Sequence, residues 1–315
     1  MITLEGDSRV TCMAHSPDGK NIATGSIDQN IYIWEINTGK CRSRLAGHTG
    51  SVWCVSYSPD GKNIASCSQT VRIWDVQTGQ CTLTLNGHTS YVNCVSYSPD
   101  GRYVASGSAD STIRVWNALT GQCIFITDGY SSCVRALSYS PDGKSIASAG
   151  SELTVRVWDA VTGKCTHCMN GHTGLVWCVN YSPDGKHIAS GGWDHTIRVW
   201  NAQTGRCVAV LDGHINFINS INYSPDSRYI LSGTHTGKIY IWDSHTKDCI
   251  WSKEFPPHTV LVRNCMHVYY KEEGKTQCGS IPFFSALTIL PGFLRVKGGG
   301  KLSDPRIWAG VLKFL

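Results

Sequence analysis

The sequence predicts an all-β protein, a propeller of four-stranded blades, because one pattern recurs along most of its 315 residues. The first observation is a tryptophan that returns after 40 residues and then every 42 residues, at Trp34, Trp74, Trp116, Trp158, Trp200 and Trp242. The second is a Ser-Pro-Asp-Gly turn ahead of each tryptophan, which changes to Ser-Pro-Asp-Ser in the sixth repeat. Repeats of about 40 residues that contain short strands are typical of propellers and other repeat arrays.

The third repeat, residues 87–119, shows how each unit divides into strands. Alternating or β-branched runs predict four strands, at Tyr91–Tyr97, Tyr103–Ser106, Thr112–Trp116 and Cys123–Thr127. Turn residues separate them, at Ser98–Gly101, Ala109–Ser111 and Thr120–Gly121. Four antiparallel strands in 42 residues make one propeller blade.

Two dipeptides give the chain its resemblance to a known family. Gly-His opens four repeats, at Gly47–His48, Gly87–His88, Gly171–His172 and Gly213–His214. Trp-Asp closes three repeats, at Trp74–Asp75, Trp158–Asp159 and Trp242–Asp243, and becomes Trp-Glu or Trp-Asn in the others. On these motifs the chain resembles WD-repeat, or β-transducin-like, propellers over residues 1–255, where we expect six clear repeats. The resemblance implies a non-enzymatic disc that binds other proteins.

The two ends of the chain decide between a six-bladed and a seven-bladed ring. Residues Met1–Gly6 resemble the fourth strand of a blade, and in similar propellers such a strand joins the last blade and closes the ring. Residues 256–315 would then form a degenerate seventh blade with an insertion, in which Glu273–Lys275 imitates the first turn and Arg306–Trp308 the third strand. The alternative is six blades followed by an unrelated tail.

The 15 cysteines recur at fixed points of the repeat, which argues against a disulfide framework. Six begin the fourth strands, at Cys41, Cys81, Cys123, Cys165, Cys207 and Cys249, and four lie in Val-x-Cys strands, at Cys12, Cys54, Cys94 and Cys178. We expect small buried thiols without disulfides. The pair Cys165 and Cys168 has zinc-like spacing, but it cannot supply four ligands, so no metal is expected. An odd number of cysteines and the lack of a signal sequence fit a cytoplasmic protein, with the nucleus as the alternative.

Charge and hydropathy indicate neither a nucleic acid nor a membrane as partner. The net charge is only +5, and no dense run of lysine and arginine is present. The longest apolar candidate, residues 281–294, is 14 residues long and too short to span a bilayer. We therefore expect a module without cofactor, monomeric in itself, that works in complexes with other proteins.

Two repeats carry serine, histidine and aspartate in a set that resembles a hydrolase triad. Together with tryptophan, the two sets are His88, Ser106, Asp110 and Trp116, and His172, Ser190, Asp194 and Trp200. The family resemblance implies a structural network, in which the serine links the indole to the histidine and the aspartate accepts the second imidazole proton. A catalytic site is needed once, whereas this set recurs, so no catalytic residue is expected. The other repeats lack at least one member, and we expect their blades to open more readily.

Residues that bind partners are expected where the repeats differ, since the invariant positions build the blades. In similar propellers the face with the fourth-to-first and second-to-third strand loops carries such residues. The candidates there are Trp53, Tyr91, Arg135, Trp177, Trp193 and Phe217. Aromatic residues and arginine dominate the energetics of protein interfaces. The alternative is that several of these side chains pack between blades.

The leading function is a non-enzymatic scaffold that presents one propeller face to partner proteins. The alternatives are a substrate receptor of a ubiquitin ligase and a sensor module of a larger signalling protein. Similar receptors dock to a cullin adaptor through Trp-Asp-x-Arg, but the fourth residue here is Gln77, Val161 or His245, and no domain is expected before the propeller. The uniform repeats resemble arrays attached to nucleotide-binding switch domains, which favours the sensor module.

Overall fold

A computed structural model describes residues 2–4, 10–127 and 129–254, together with the backbone of three strands between residues 260 and 280. These residues form seven four-stranded antiparallel sheets within one compact unit, residues 1–281. No helix in this part of the chain has the length and apolar character needed to cross a membrane.

Six of the sheets are the blades predicted from the repeats, and each contains four consecutive strands in sequence order. Strand β1 (Ile2–Leu4) comes before the first blade. Blade 1 comprises β2 (Val10–His15), β3 (Asn21–Ser26), β4 (Asn30–Glu35) and β5 (Cys41–Ala46), and blade 2 comprises β6 (Cys54–Tyr57), β7 (Asn63–Cys67), β8 (Val71–Asp75) and β9 (Cys81–Leu85). Blade 3 comprises β10 (Val92–Tyr97), β11 (Tyr103–Ser108), β12 (Ile113–Asn117) and β13 (Cys123–Ile126). Blade 4 comprises β14 (Val134–Tyr139), β15 (Ser145–Gly150), β16 (Val155–Asp159) and β17 (Cys165–Met169), and blade 5 comprises β18 (Val176–Tyr181), β19 (His187–Gly192), β20 (Ile197–Asn201) and β21 (Cys207–Leu211). Blade 6 comprises β22 (Ile218–Tyr223), β23 (Tyr229–Thr234), β24 (Lys238–Asp243) and β25 (Cys249–Glu254).

A seventh sheet brings the two ends of the described chain together. It contains β26 (Val260–Leu261), β27 (His267–Glu272) and β28 (Lys275–Ser280), and β1 completes it by pairing with β28. The pairing is antiparallel, with Ile2 opposite Cys278 and Leu4 opposite Thr276. Strand β26 lies beside β2 of blade 1 and β22 of blade 6. This is the ring closure by an N-terminal strand that the sequence predicts.

The prediction for the third strand of this sheet is wrong. That strand is β28, which follows β27 after residues 273–274, so Glu273–Lys275 connects the second and third strands. A short hairpin costs less loop-closure entropy than a connection across a long insertion. Residues 281–315, which include Arg306–Trp308 and the apolar segment 281–294, lie outside the described residues. The extent of a seventh blade over residues 256–315 therefore stays a prediction.

The hydrophobic core lies between neighbouring blades. The tryptophan of each repeat is almost completely enclosed, and Trp74 packs with Ala14, Ile33 and Leu45 from blade 1. Trp116 packs in the same way with residues of blade 2. A single repeat cannot bury its faces alone, so the blades are stable only as neighbours in the array.

The Ser-Pro-Asp-Gly turns join the first and second strands as predicted. In blade 2 the Ser58 hydroxyl donates to Asp60 over 2.6 Å and accepts the backbone N–H of Asn63 over 2.9 Å. Gly61 adopts a φ of 72°, a left-handed conformation that glycine takes without strain. In the sixth repeat Ser227 takes this place with a φ of 62°, so the turn geometry persists without the glycine.

One expectation about the cysteines is wrong. The cysteines that begin the fourth strands are not buried, since Cys41, Cys165, Cys207 and Cys249 are exposed. The fourth strand is the outermost of its blade and has a neighbouring strand on one side only, so its side chains remain open to solvent. No disulfide is present among the cysteines of residues 10–254.

Candidate interaction face

The loops that differ most between repeats lie on one side of the propeller because the strands of each blade alternate in direction. This side, here called the upper face, consists of the loops at 47–53, 86–91, 129–133, 170–175 and 212–217 and the turns at 27–29, 68–70, 109–112, 151–154, 193–196 and 235–237. The first strands begin at this face, so their first residues also lie there.

Five side chains from blades 4, 5 and 6 form a continuous strip along the upper face. The guanidinium carbon of Arg135 lies 4.4 Å from the centre of the Trp177 ring. The Trp177 ring stacks on Trp193 with the ring centres 6.2 Å apart and the planes inclined by 15°. Trp193 in turn meets Phe217 at 5.5 Å, and Phe217 stacks on His235 at 4.7 Å. We call these five residues the aromatic strip.

β-Bulges explain why Arg135 and Trp177 reach the upper face from within strands. The pairing of β14 with β15 skips Arg135, and the pairing of β18 with β19 skips Trp177. A residue at a bulge leaves the regular ladder, so its side chain is turned to a new direction. The two residues occupy equivalent places in consecutive repeats, and their side chains therefore meet across the gap between blades 4 and 5.

The strip is accessible to a partner. Trp193 at its centre is 48% exposed, and His235 at its end is also exposed. Arg135, Trp177 and Phe217 are half-buried, so that part of each side chain packs and part faces solvent. These three side chains therefore pack in part, which was the alternative to partner binding, and partner binding by them stays a prediction.

The structure brings together four of the six predicted partner-binding residues, Arg135, Trp177, Trp193 and Phe217. The other two, Trp53 and Tyr91, lie on the upper face of blades 2 and 3, where they are 45% and 54% exposed. His235 was not predicted from the sequence. The repeat pattern could have identified His235, because it stands 42 residues after Trp193 and occupies the same place in the next repeat.

A buried hydrogen-bond network supports the turn that carries Trp193. In blade 5 the indole N–H of Trp200 donates to the Ser190 hydroxyl over 2.8 Å, and His172 Nε2 lies 2.7 Å from the same oxygen. His172 Nδ1 lies 2.7 Å from a carboxylate oxygen of Asp194, which directly follows Trp193. The network therefore ties the turn under the aromatic strip to the inner strands of its blade.

Blade 3 contains the same arrangement. The Trp116 indole N–H donates to Ser106 over 2.8 Å, and His88 bridges Ser106 and Asp110 with two contacts of 2.8 Å. Asp110 also accepts the backbone N–H of Thr89 over 3.0 Å. Every polar group named here has a partner within the blade, as buried polar groups require.

The protonation states of the blade 3 set are those of a catalytic triad, but its serine is closed to a substrate. Burial acts to raise the pKa of Asp110, but hydrogen bonds from Thr112, Thr89 and His88 outweigh it and leave this pKa at about 2. Burial lowers the pKa of His88, so a neutral ring donates to an ionised carboxylate. The serines of the two sets, Ser106 and Ser190, are 0% exposed. A substrate cannot reach a hydroxyl that is enclosed in this way.

In blade 4 two other side chains occupy the network positions. Tyr130 stands in place of the histidine, and its hydroxyl lies 2.9 Å from the Ser148 hydroxyl. Glu152 stands in place of the aspartate, accepts from the Ser131 backbone and hydroxyl, and forms an ion pair with Arg156 at 2.8 Å. The longer Tyr and Glu side chains thus keep the contacts to the serine and to the loop backbone. The direct histidine–aspartate contact is replaced by Arg156, which pairs with Glu152 and lies 4.8 Å from the centre of the Tyr130 ring.

The remaining blades hold shorter versions of the network. Blades 2 and 6 keep the indole, serine and histidine, with His48 2.6 Å from Ser66 and His214 2.8 Å from Ser232. In blade 1 the indole of Trp34 donates to Thr24 over 2.8 Å, whereas Asp7 lies outside the described residues. Within the described ranges, no group of three or more His, Cys, Asp or Glu side chains could hold a metal ion.

Comparison with known protein families agrees with this geometry. The family model described as WD domain, G-beta repeat matches six segments, at residues 1–35, 39–75, 79–117, 121–159, 163–201 and 205–243. The chain belongs to the WD40-repeat family. It is an all-β WD40 propeller with six repeat blades, and WD40 propellers are in general non-enzymatic scaffolds for protein interactions.

Two curated relatives share single stretches of WD40 sequence with this chain. The periodic tryptophan protein 2 homolog of Neurospora crassa is 46% identical over 43 residues, which are 13% of this chain and 5% of that protein. The F-box/WD repeat-containing protein 7 of Drosophila melanogaster is 43% identical over 47 residues, which are 15% of this chain and 3% of that protein. Each likeness has about the length of one WD40 repeat and concerns the repeat unit alone.

Proposed function

We propose that this WD40 propeller is a non-enzymatic scaffold that binds partner proteins through the aromatic strip on its upper face. The observation that carries the proposal is the unbroken series of contacts from Arg135 through Trp177, Trp193 and Phe217 to His235. Such a surface fits an apolar or aromatic side chain of a partner, which would lie against the exposed part of Trp193.

The energetics of interfaces support this assignment. Tryptophan and arginine are enriched among residues that contribute about 2 kcal/mol or more to binding. The side chains of the strip already rest on one another in the free protein, so binding would immobilise few additional rotamers. The network of His172 and Asp194 beneath the strip holds the turn in place, which further reduces the cost of ordering on binding.

The chain offers a matched pair of tryptophans for the test. Trp193 and Trp53 are similarly exposed, at 48% and 45%, and both lie on the upper face, but only Trp193 belongs to the aromatic strip. Wild-type protein, Trp193→Ala and Trp53→Ala would be used to capture proteins from a cell lysate, followed by quantitative mass spectrometry. Thermal melts would first establish that all three proteins are folded.

We expect a set of proteins that is lost from Trp193→Ala and retained by Trp53→Ala. A direct affinity measurement on a recovered partner should then show a decrease of about 30-fold for Trp193→Ala, which corresponds to about 2 kcal/mol. Identical partner sets for wild type and Trp193→Ala would contradict the proposal. Loss of the same proteins from both variants would assign binding to the whole rim instead of the strip.

A second candidate function is a substrate receptor or sensor module within a larger ubiquitin-ligase or signalling assembly. This function is supported by the similarity of 47 residues to the F-box/WD repeat-containing protein 7 of Drosophila melanogaster. Against the receptor stands the lack of arginine as the fourth residue of each Trp-Asp-x-Arg motif, where Gln77, Val161 and His245 are found. Recovery of ubiquitin-ligase subunits in the same capture experiment would favour this function.

A further inference from the structure

The inner strands of the first three blades bring several thiols close together. Cys67 is enclosed with Cys54 beside it, and Cys12 and Cys94 lie near enough to influence it electrostatically. Cys54 and Cys67 are direct partners in the register of β6 and β7, so their side chains leave the sheet on the same side. This pair is therefore distinguished from the other two thiols by its position across two paired strands.

The repeats themselves show how unusual this pair is. At the place of Cys67, blades 1, 3 and 5 carry glycine opposite the Val-x-Cys cysteine, at Gly25, Gly107 and Gly191. Blade 4 carries Ala149 opposite Ala136, and blade 6 carries Gly233 opposite Ser220. Among these six blades, blade 2 alone has a cysteine on the first strand, Cys54, opposite a cysteine on the second strand, Cys67.

The glycines also provide a measure of the distance across the two strands. A Cβ atom added to Gly25 would lie 2.5 Å from Cys12 Sγ, and one added to Gly107 would lie 2.7 Å from Cys94 Sγ. In blade 5 the corresponding distance from Gly191 to Cys178 Sγ is 3.4 Å. In a disulfide, a Cβ atom lies about 3 Å from the sulfur of the other cysteine. In blades 1 and 3 a Cβ at the glycine place would thus lie within disulfide range of the facing sulfur, and in blade 2 Cys67 carries a Cβ and a sulfur at that place.

We propose that Cys54 and Cys67 are a modification site, at which a peroxide-class oxidant forms a disulfide between β6 and β7. Cys54 is half-buried and Cys67 is completely enclosed, so Cys54 is the sulfur that meets the oxidant. The Cys54 thiol releases its proton, its thiolate attacks one peroxide oxygen, and the O–O bond breaks to give a sulfenic acid and a hydroxide. The hydroxide takes up the released proton and becomes one water. The Cys67 sulfur then attacks the sulfenic sulfur, and its thiol proton leaves with the displaced hydroxide as a second water. Two thiols and one hydrogen peroxide thus give one disulfide and two waters.

Proximity is the basis of selectivity at this site. Burial raises the pKa of the Cys67 thiol well above its ordinary value, so this residue reacts slowly as a nucleophile towards reagents in solution. The exposed cysteines Cys41, Cys207 and Cys249 meet oxidant more readily, but in the described sheets none of them has a cysteine as its direct cross-strand partner. Cys54 differs in having a second thiol held against it, so its sulfenic acid is captured within the blade.

The experiment uses the full-length folded protein and three variants. Cys67→Gly installs the residue that blades 1, 3 and 5 carry at this place, and Cys54→Ser removes the first thiol. Cys94→Ser is the control, because Cys94 is also buried on a neighbouring inner strand. Each protein is treated with hydrogen peroxide under native conditions, alkylated in denaturant, digested with trypsin without reduction, and analysed by mass spectrometry.

Trypsin separates the two cysteines because Lys62 lies between them. Residues 45–62 contain only Cys54 and residues 63–72 contain only Cys67, so the disulfide appears as a linked pair of peptides. We expect this pair in the wild type and in Cys94→Ser, and its loss in Cys67→Gly and Cys54→Ser. The proposal is overturned if both cysteines are alkylated after oxidation, if Cys54 is linked to Cys12 or Cys94, or if the linked pair forms only in denaturant.

Discussion

Arg135 in blade 4 holds its guanidinium carbon 4.4 Å from the ring centre of Trp177 in blade 5. Both residues occupy the bulge of a first strand, 42 positions apart in the sequence. The Nε atom of Arg135 is buried and has no hydrogen-bond partner among the described residues, so the ring face is its principal contact. This cation–π contact joins two blades and fixes one end of the aromatic strip.

Replacing Arg135 by alanine should lower the free energy of unfolding by about 1 kcal/mol, because a partly desolvated cation–π contact between blades is lost. Urea denaturation of the purified protein measures the change. The matched control is Arg102→Ala. The Arg102 side chain is 79% exposed, and its ion pair with Asp100 is long at 3.9 Å. That variant should stay within about 0.5 kcal/mol of the wild type. Equal losses in the two variants would show that the Trp177 contact contributes nothing.

Stability should decrease as the pH falls from about 6.5 to about 4. Burial, assisted by the charge of Arg72, lowers the pKa of His48 from 6.5 to about 4 in the folded protein. The unfolded chain therefore binds more protons than the folded chain in this interval, and acid favours unfolding. Burial also lowers the pKa of His214 to about 4, so both histidines act in the same direction.

His48→Gln tests the source of this pH dependence. The amide can still bond to Ser66 but does not titrate, so thermal midpoints should fall less steeply between pH 6.5 and 4 than those of the wild type. Protonation of the aspartates should cause a further loss of folding stability at lower pH. The folded-state pKa of Asp110 is depressed to about 2, so its contribution is present above its ordinary value of 3.8 and disappears as the pH falls towards 2. An unchanged slope in His48→Gln would exclude His48 as the cause.

Backbone amides should exchange their hydrogens faster in blade 2 than in blade 4. Tyr130, Ser148, Glu152 and Arg156 connect the strands of blade 4, whereas blade 2 lacks a carboxylate at the corresponding turn. We expect amides of β15 to exchange as slowly as those of β11 and β19, and amides of β7 to exchange faster. Tyr130→Phe, which removes only the hydroxyl, should speed exchange in blade 4. Equal protection in β7 and β15 in the wild type would contradict this explanation.

Much of the fold follows from the repeat itself. The third repeat predicts strands at Tyr103–Ser106 and Thr112–Trp116, and the structure has them at Tyr103–Ser108 and Ile113–Asn117. Alternation, β-branched residues and turn residues are local signals, and 42 residues contain a complete blade. The third strand of the seventh sheet could not be predicted in the same way, because β28 lacks the tryptophan that marks this strand in each repeat, whereas the tail carries a tryptophan farther on, at Trp308.

The blades, their order and the positions where repeats differ can all be read from the sequence, since these features depend on patterns within single repeats. Which of those positions meet depends on the folded structure. It brings Arg135, Trp177, Trp193 and Phe217 together with His235 and leaves Trp53 and Tyr91 in other blades. It also shows which contacts Tyr130 and Glu152 make at the places of a histidine and an aspartate. The physical reason is that contacts between blades depend on bulge geometry and side-chain length across a gap of some 40 residues in sequence, which no local pattern records.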